Sequence, residues 1–213
     1  MAKAIATSFA TGDVSAEGIS KEMLVQMITR DLEDVCEAND GCISPSADAP
    51  ADIVDKLKMF YSAFKQPFSL EFYVQRLVQY TNCSTSAFVV AMIYLDRLQQ
   101  HAPGLRLSFM NCHRLLIVAL VLAIKYLDDE IYSNAYYARV GGLSTSEMNR
   151  LEASMLELLR WNVSVSAELY NLFEESLASG VCTSDGEDDI DDLDPIDDDL
   201  DFSTSSMSSA SGI

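Results

Sequence analysis

The sequence predicts an all-α fold, and three observations predict it. Residues 115–124 read LLIVALVLAI, ten residues without a polar side chain, closed by Arg114 before and Lys125 after. Such a run is too short to span a bilayer, which takes about 20 residues, and too long for an ordinary strand. At about three turns and apolar all round, it is a helix buried on every face. The second observation is that apolar residues elsewhere recur at helical spacing, several times behind a Ser, Thr or Asn that can cap a helix. The third is composition: nine Gly, five Pro and few alternating runs of Val, Ile and Thr argue against a β architecture. Each fully buried Leu, Ile or Val contributes about 1.5–3 kcal/mol, which makes 115–124 the axle of the core.

The other elements follow from local pattern. Residues 1–18 are small and polar and are expected to be disordered. Met23, Leu24, Met27, Ile28, Leu32 and Val35 form one stripe of a helix over 19–37, with Ser20 as its cap. A loop containing Pro45 and Pro50 leads to a short helix over 52–64 with Ile53, Leu57 and Phe60 inward, stopped ahead of Pro67. Ser69 opens the next helix, with Leu70, Tyr73, Leu77 and Tyr80 on one side, until Asn82 and Ser84 break it. Ser84 or Thr85 caps a helix whose centre, AFVVAMIYL (87–95), is apolar throughout, and Asp96 and Arg97 close that apolar run. Pro103 and Gly104 mark a loop, Ser108 or Asn111 caps the axle, and a short aromatic helix after it stops at Gly141 and Gly142. Ser144 and Glu147 have capping-box spacing for a helix to about Trp161, and a last helix runs over 167–178. Domain boundaries follow: a folded domain over 19–179, then an acidic, Ser-rich, disordered tail over 180–213.

Charge and cysteine content exclude several classes of function. The net charge is −19, but no Lys or Arg follows Arg160, whereas fourteen acids do. The folded part is only mildly acidic, and no basic footprint for nucleic acid is present. The five Cys are odd in number, widely spaced and free of CxxC, the usage of a reduced intracellular protein. Neither a signal-peptide core nor a membrane span is read from the sequence. The two His, His101 and His113, stand in no metal or triad pattern, and adjacent Cys112 and His113 point about 100° apart on a helix. The tail lacks the glycine spacing of a calcium loop, and Gly141–Gly142 ends a helix without forming a phosphate cradle. No cofactor, metal or small-molecule ligand is expected, and the chain does not read as an enzyme.

Two charges stand where a core would prefer none. On a wheel of the helix from Ser144, Met148, Leu151, Met155, Leu156, Leu158 and Leu159 form an apolar arc, and Glu152 projects inside it. An unpaired buried carboxylate is costly, so Glu152 must reach water or a partner. Lys125 is the first polar group to leave the axle, followed by Asp128 and Asp129, which lie where the dipole of that helix disfavours an anion. Together they suggest a polar seam at the mouth of an apolar groove that holds a partner's helix.

The stretches FYVQRLVQYTNCSTSAFVVAMIYLDR and HRLLIVALVLAIKYLDDEIYSNAYYARVGGLSTSEMNRLE resemble the cyclin box of the P/U-type cyclins, the group of the fungal phosphate-regulation cyclins and plant U-type cyclins. The YLDR, HRLL, AxKYLDD, NxYYAxVGG and MNxLE blocks occur in order, and the resemblance covers about 20–178. It implies a single cyclin box of five helices with an N-terminal flanking helix. It also implies a regulatory subunit that binds and activates a cyclin-dependent serine/threonine kinase, in the nucleus and/or cytoplasm, in cell-cycle or phosphate-signalling control. Lys125 and Glu152 match the cyclin Lys and Glu that grip the kinase C-helix region, with Asp128 and Asp129 beside them. An Arg that pairs in cell-cycle cyclins with the Asp of the LDR block, here Asp96, is absent, and Arg76 is the substitute expected to pair with Asp96. The alternative is a helical adaptor, or a transcription-associated cyclin-fold protein, that works through its acidic tail.

Overall fold

A computed structural model describes residues 20–46, 50–102 and 104–179. The segments expected to be disordered, 1–18 and 180–213, lie outside the described residues, as does the predicted turn residue Pro103. Among the described residues there are eight helices: α1 (Lys21–Ala38), α2 (Ala51–Lys58), α3 (Leu70–Tyr80), α4 (Thr85–His101), α5 (Cys112–Leu127), α6 (Asn134–Val140), α7 (Thr145–Leu158) and α8 (Ala167–Ser179). The five helices α3 to α7 make the predicted box. α1 and α2 flank it upstream, and α8 is added downstream.

Serine starts most of these helices. The side chains of Ser20, Ser69, Ser84, Ser133 and Ser144 each accept the backbone N–H three residues on, and Ser144 with Glu147 closes the predicted capping box. Each such cap is worth about 1 kcal/mol relative to alanine. Asn111 precedes α5 without capping it; its side-chain oxygen accepts the Ser108 N–H at 2.9 Å and its amide donates to the Arg106 carbonyl at 2.8 Å, which shapes the loop.

The ten residues from Leu115 to Ile124 are all buried, none more than 6% exposed. α5 reaches that state by packing against α4 first, then α7 and α3. The residue that ends α6 also comes close to it: a methyl group added at Gly141 would lie 2.7 Å from Ile117 Cγ1, so only glycine admits this approach.

Two helix ends differ from the sequence expectation. α2 stops at Lys58, not near Phe64. The Met59 carbonyl accepts from Arg114 Nη1 at 2.9 Å, Phe60 turns fully into the core, and Ser62 N–H donates to the Met110 carbonyl at 2.7 Å. These long-range bonds outweigh continuation of a short helix. α7 stops at Leu158, because Arg160 and Trp161 adopt left-handed backbone with φ of 55° and 58° and the Trp161 N–H folds back onto the Leu156 carbonyl. Ser154, a polar residue of α7, is 8% exposed. α2 packs against α7 as well, with Lys56 Nζ 2.7 Å from Glu157 Oε2.

His113, at the start of α5, is 7% exposed and wedged against rings, with centroids 4.9 Å from Tyr73 and 5.4 Å from Phe68. Its Nδ1 touches Cys112 Sγ at 3.4 Å, and its Nε2 is buried without a hydrogen-bond partner. Burial pushes its pKa down to about 4. The unfolded chain therefore binds this proton more readily than the folded one, and stability falls as pH drops from about 6.5 towards about 4, by roughly 3 kcal/mol in all. Urea unfolding of the parent and of His113→Leu at about pH 7 and about pH 4.5 checks this: the variant should lose a large part of the parent's acid sensitivity. An unchanged difference between the two pH values would assign that sensitivity to other groups.

Candidate functional site

The two charges that the sequence isolates meet. Lys125 leaves the last turn of α5 and its Nζ lies 2.5 Å from Glu152 Oε1 on α7, with the side chains 33% and 14% exposed. The second oxygen of Glu152 accepts from Asn134 Nδ2 at 2.7 Å, and the same amide donates to Asn149 Oδ1 at 2.8 Å. Three helices, α5, α6 and α7, thus converge on one carboxylate. Glu152 sits in an apolar arc because it is paired there, which answers the cost of its position. An ammonium has three donors and a carboxylate about four acceptor sites, so after these contacts both groups keep hydrogen-bonding capacity for an incoming molecule.

The chain that follows Lys125 supplies an apolar surround. Tyr126, Leu127, Ile131 and Tyr132 are between 41% and 48% exposed. Tyr132 is held by rings, 4.6 Å from Tyr136 and 6.2 Å from Tyr137, and its N–H donates to Tyr137 Oη at 3.1 Å. Tyr136 in turn donates to the Tyr80 carbonyl at 2.6 Å, so this segment is tied back to α3.

Asp128 and Asp129 divide. Asp128 accepts the Ser84 hydroxyl at 2.6 Å and the Ser84 N–H at 3.1 Å. Ser84 is the N-cap of α4, so this carboxylate, disfavoured at the end of α5, stands at a helix start where the dipole favours it. Asp129 is exposed beside it.

The expected pairing of Arg76 with Asp96 does not form. Arg76 donates from Nε to the Val140 carbonyl at 2.8 Å and from Nη2 to that of Arg139 at 3.3 Å, serving the end of α6. Free carbonyls at a helix terminus attract a guanidinium more directly than a distant carboxylate does. Asp96 is half-buried and accepts from Gln100 Nε2 at 2.6 Å, one turn on along α4. Burial raises its pKa, against the lowering effect of that hydrogen bond. The structural residue of this block is its neighbour Arg97, which donates to the carbonyls of Asn162, at 2.5 Å, and Ser164, at 3.1 Å, where the chain reverses after α7.

Asn134 and Asn149 were not singled out from the sequence. Asn149 stands one turn before Glu152, a spacing that does bring side chains together on a helix. Asn134 carries no such signal, since it comes from another helix.

The fold and this site define a cyclin-box protein. A model of the cyclin family, described as Cyclin, matches residues 22–163, and the chain belongs to that family. Within it the chain is similar to the plant U and P types. It is 37% identical to Cyclin-U4-1 of Arabidopsis thaliana over 150 residues, 70% of this chain and 72% of that protein. It is 38% identical to Cyclin-P4-1 of Oryza sativa subsp. japonica over 160 residues, 73% of this chain and 71% of that protein. Cyclin-U1-1 of Arabidopsis thaliana is 35% identical over 144 residues, 68% of this chain and 69% of that protein. Cyclins are regulatory proteins and not catalysts, and a protein kinase is the general partner that membership implies.

The reassigned contacts predict a reversal of importance within the LDR block. Asp96→Ala should cost at most about 1 kcal/mol, because it loses one bond to an exposed Gln100, whereas Arg97→Ala should cost about 2 kcal/mol by releasing two carbonyls. Chemical denaturation of the two variants checks the order; a larger loss for Asp96→Ala would restore it as the structural residue.

Proposed function

We propose that this chain binds and activates a cyclin-dependent serine/threonine kinase through the surface built around Lys125 and Glu152. The observation that carries the reading is the Lys125–Glu152 pair, presented with spare donors and acceptors beside four exposed apolar side chains. A kinase helix laid on those apolar groups would place its terminal backbone groups within reach of the pair, Lys125 meeting carbonyls and Glu152 meeting N–H groups. Asp129 is the further polar contact, while Asp128 acts by holding the start of α4 against the end of α5. Binding would favour the active placement of the kinase C-helix and so the Lys–Glu ion pair that phosphoryl transfer requires. The chain itself performs no chemistry in this scheme. Its place is inside the cell, in the nucleus and/or cytoplasm, a reading supported by the free thiols of Cys36, Cys42, Cys83 and Cys112. Cell-cycle and phosphate-signalling kinases are the two classes of partner to be tried.

The test uses Lys125→Ala and Glu152→Gln, the latter chosen because it can keep its contact with Asn134. Both should stay helical and melt cooperatively, since a partly exposed pair at a helix end contributes only about 1 kcal/mol to folding. Affinity for a kinase co-purified with the tagged chain should fall by roughly 2–5 kcal/mol in each, and activation with it. Asp129→Asn should cost about 1 kcal/mol or less as a rim charge. Full kinase affinity in both pair variants would end the proposal for this surface.

A further inference from the structure

We propose that Tyr132 is a modification site that takes a phosphoryl group from ATP through a tyrosine-directed protein kinase, and that the phosphate closes the Lys125–Glu152 surface to its partner. The chain has nine tyrosines. Six of their hydroxyls, those of Tyr61, Tyr73, Tyr94, Tyr136, Tyr137 and Tyr170, are already hydrogen-bonded within the fold. Of the other three, Tyr80 is half-buried with the Arg76 guanidinium over its ring, 5.9 Å from the centroid. Tyr126 is exposed but belongs to the last turn of α5. Tyr132 combines a hydroxyl without a partner among the described residues, 43% exposure and a place between helices.

That place suits an enzyme. α5 ends at Leu127 and α6 begins at Asn134, and every residue from Asp129 to Ser133 is exposed. Exposed connections of this kind are where a second enzyme reaches a chain, whereas a helix must first unwind. The residues before the tyrosine read DDEI. Asp128 is taken by Ser84, which leaves the carboxylates of Asp129 and Glu130 to be read by a basic peptide cleft. The tyrosine is presented from a fixed backbone: its N–H donates to Tyr137 Oη at 3.1 Å, and its ring centroid lies 4.6 Å from that of Tyr136.

In the modification, Tyr132 Oη bonds to the γ-phosphorus of ATP and the bond from that phosphorus to the β-phosphate oxygen breaks. ADP leaves, and the phenolic proton passes to the base of the modifying kinase. That enzyme is not the partner proposed for this surface, which transfers to serine and threonine. The product adds about −1.5 to −2 charges beside Asp129 and Glu130. Tyr126, Leu127 and Ile131, the other exposed side chains of the surface, are apolar. A helix that covers them must then strip water from a dianion and meet its charge, which opposes docking. This consequence, though not the site, rests on the kinase docking proposed for the surface.

The test incubates the full-length chain with radiolabelled ATP and the catalytic domain of a tyrosine kinase that prefers acidic substrates. Initial incorporation should fall about tenfold or more in Tyr132→Phe and several-fold in Asp129→Asn with Glu130→Gln. It should hold in Tyr126→Phe. The phenylalanine variants keep their rings, and circular dichroism checks that each variant is folded. No labelling of the parent, undiminished labelling of Tyr132→Phe, or an equal loss in Tyr126→Phe would overturn the site. The phosphorylated and unmodified chains are then titrated with the co-purified kinase, and phosphorylation should weaken binding about tenfold or more. Equal affinities would overturn the switch. Failure of the unmodified chain to bind any kinase would overturn the docking and the switch together, while the labelling result still decides the site.

Discussion

A helix with no solvent-facing side constrains everything placed around it. α5 is buried along all ten residues of its apolar run, so each neighbour must offer it an apolar face, and its polar groups are confined to its two ends. Both ends are tied to α7: Arg114 Nη2 lies 3.1 Å from Glu147 at the entrance, and Lys125 lies 2.5 Å from Glu152 at the exit. Between them the contact is purely apolar and non-directional. The ion pairs therefore set the register of α7 against α5, while burial supplies the energy that holds the two together.

The two ends have opposite characters. At the entrance, Glu147 is also part of a capping box, accepting the Ser144 N–H at 3.0 Å and its hydroxyl at 2.9 Å. Burial acts to raise its pKa, but the Ser144 bonds and the Arg114 charge outweigh it, and the net direction is down. Arg114 is occupied as well by the Met59 carbonyl. That end is saturated with internal partners. At the exit the groups keep unused donors and acceptors, and the side chains next to them are apolar and exposed. One and the same helix pairing is therefore closed at one end and open at the other.

What the sequence made legible follows from what leaves a local pattern. The axle, the apolar stripes of α1 and α3, and the serine caps of α1, α3, α4 and α7 are local or periodic, and each was readable. Lys125 and Glu152 were readable because a charge beside or within an apolar pattern is an anomaly that one helix alone displays. Side chains that serve distant carbonyls leave no such trace. Arg76 on Val140, Arg97 on Asn162 and Arg114 on Met59 bond to backbone atoms 55 to 65 residues away, and backbone acceptors look alike in any sequence. The expected Arg76–Asp96 pair failed for that reason: it matched charge to charge, where the fold matched charge to helix-end carbonyls. The partner of Asp128 left no trace for a related reason, since it is the start of α4, 44 residues earlier.

The open end of the α5–α7 pairing is also preorganised. Lys and Glu are long side chains, and fixing one on binding costs about 0.5–1.5 kcal/mol. Here much of that cost is already met in the free protein, because Asn134 holds one oxygen of Glu152 while Lys125 holds the other. Asn134 is itself placed by the Ser133 cap of α6, and α6 by the close approach that Gly141 permits against Ile117. A chain of contacts thus runs from the buried axle, through a glycine and a serine cap, to the orientation of one surface carboxylate. The position of Glu152 is a consequence of core packing, although its own pairing adds little to stability. Such a group can be spent on a partner without loosening the fold that presents it.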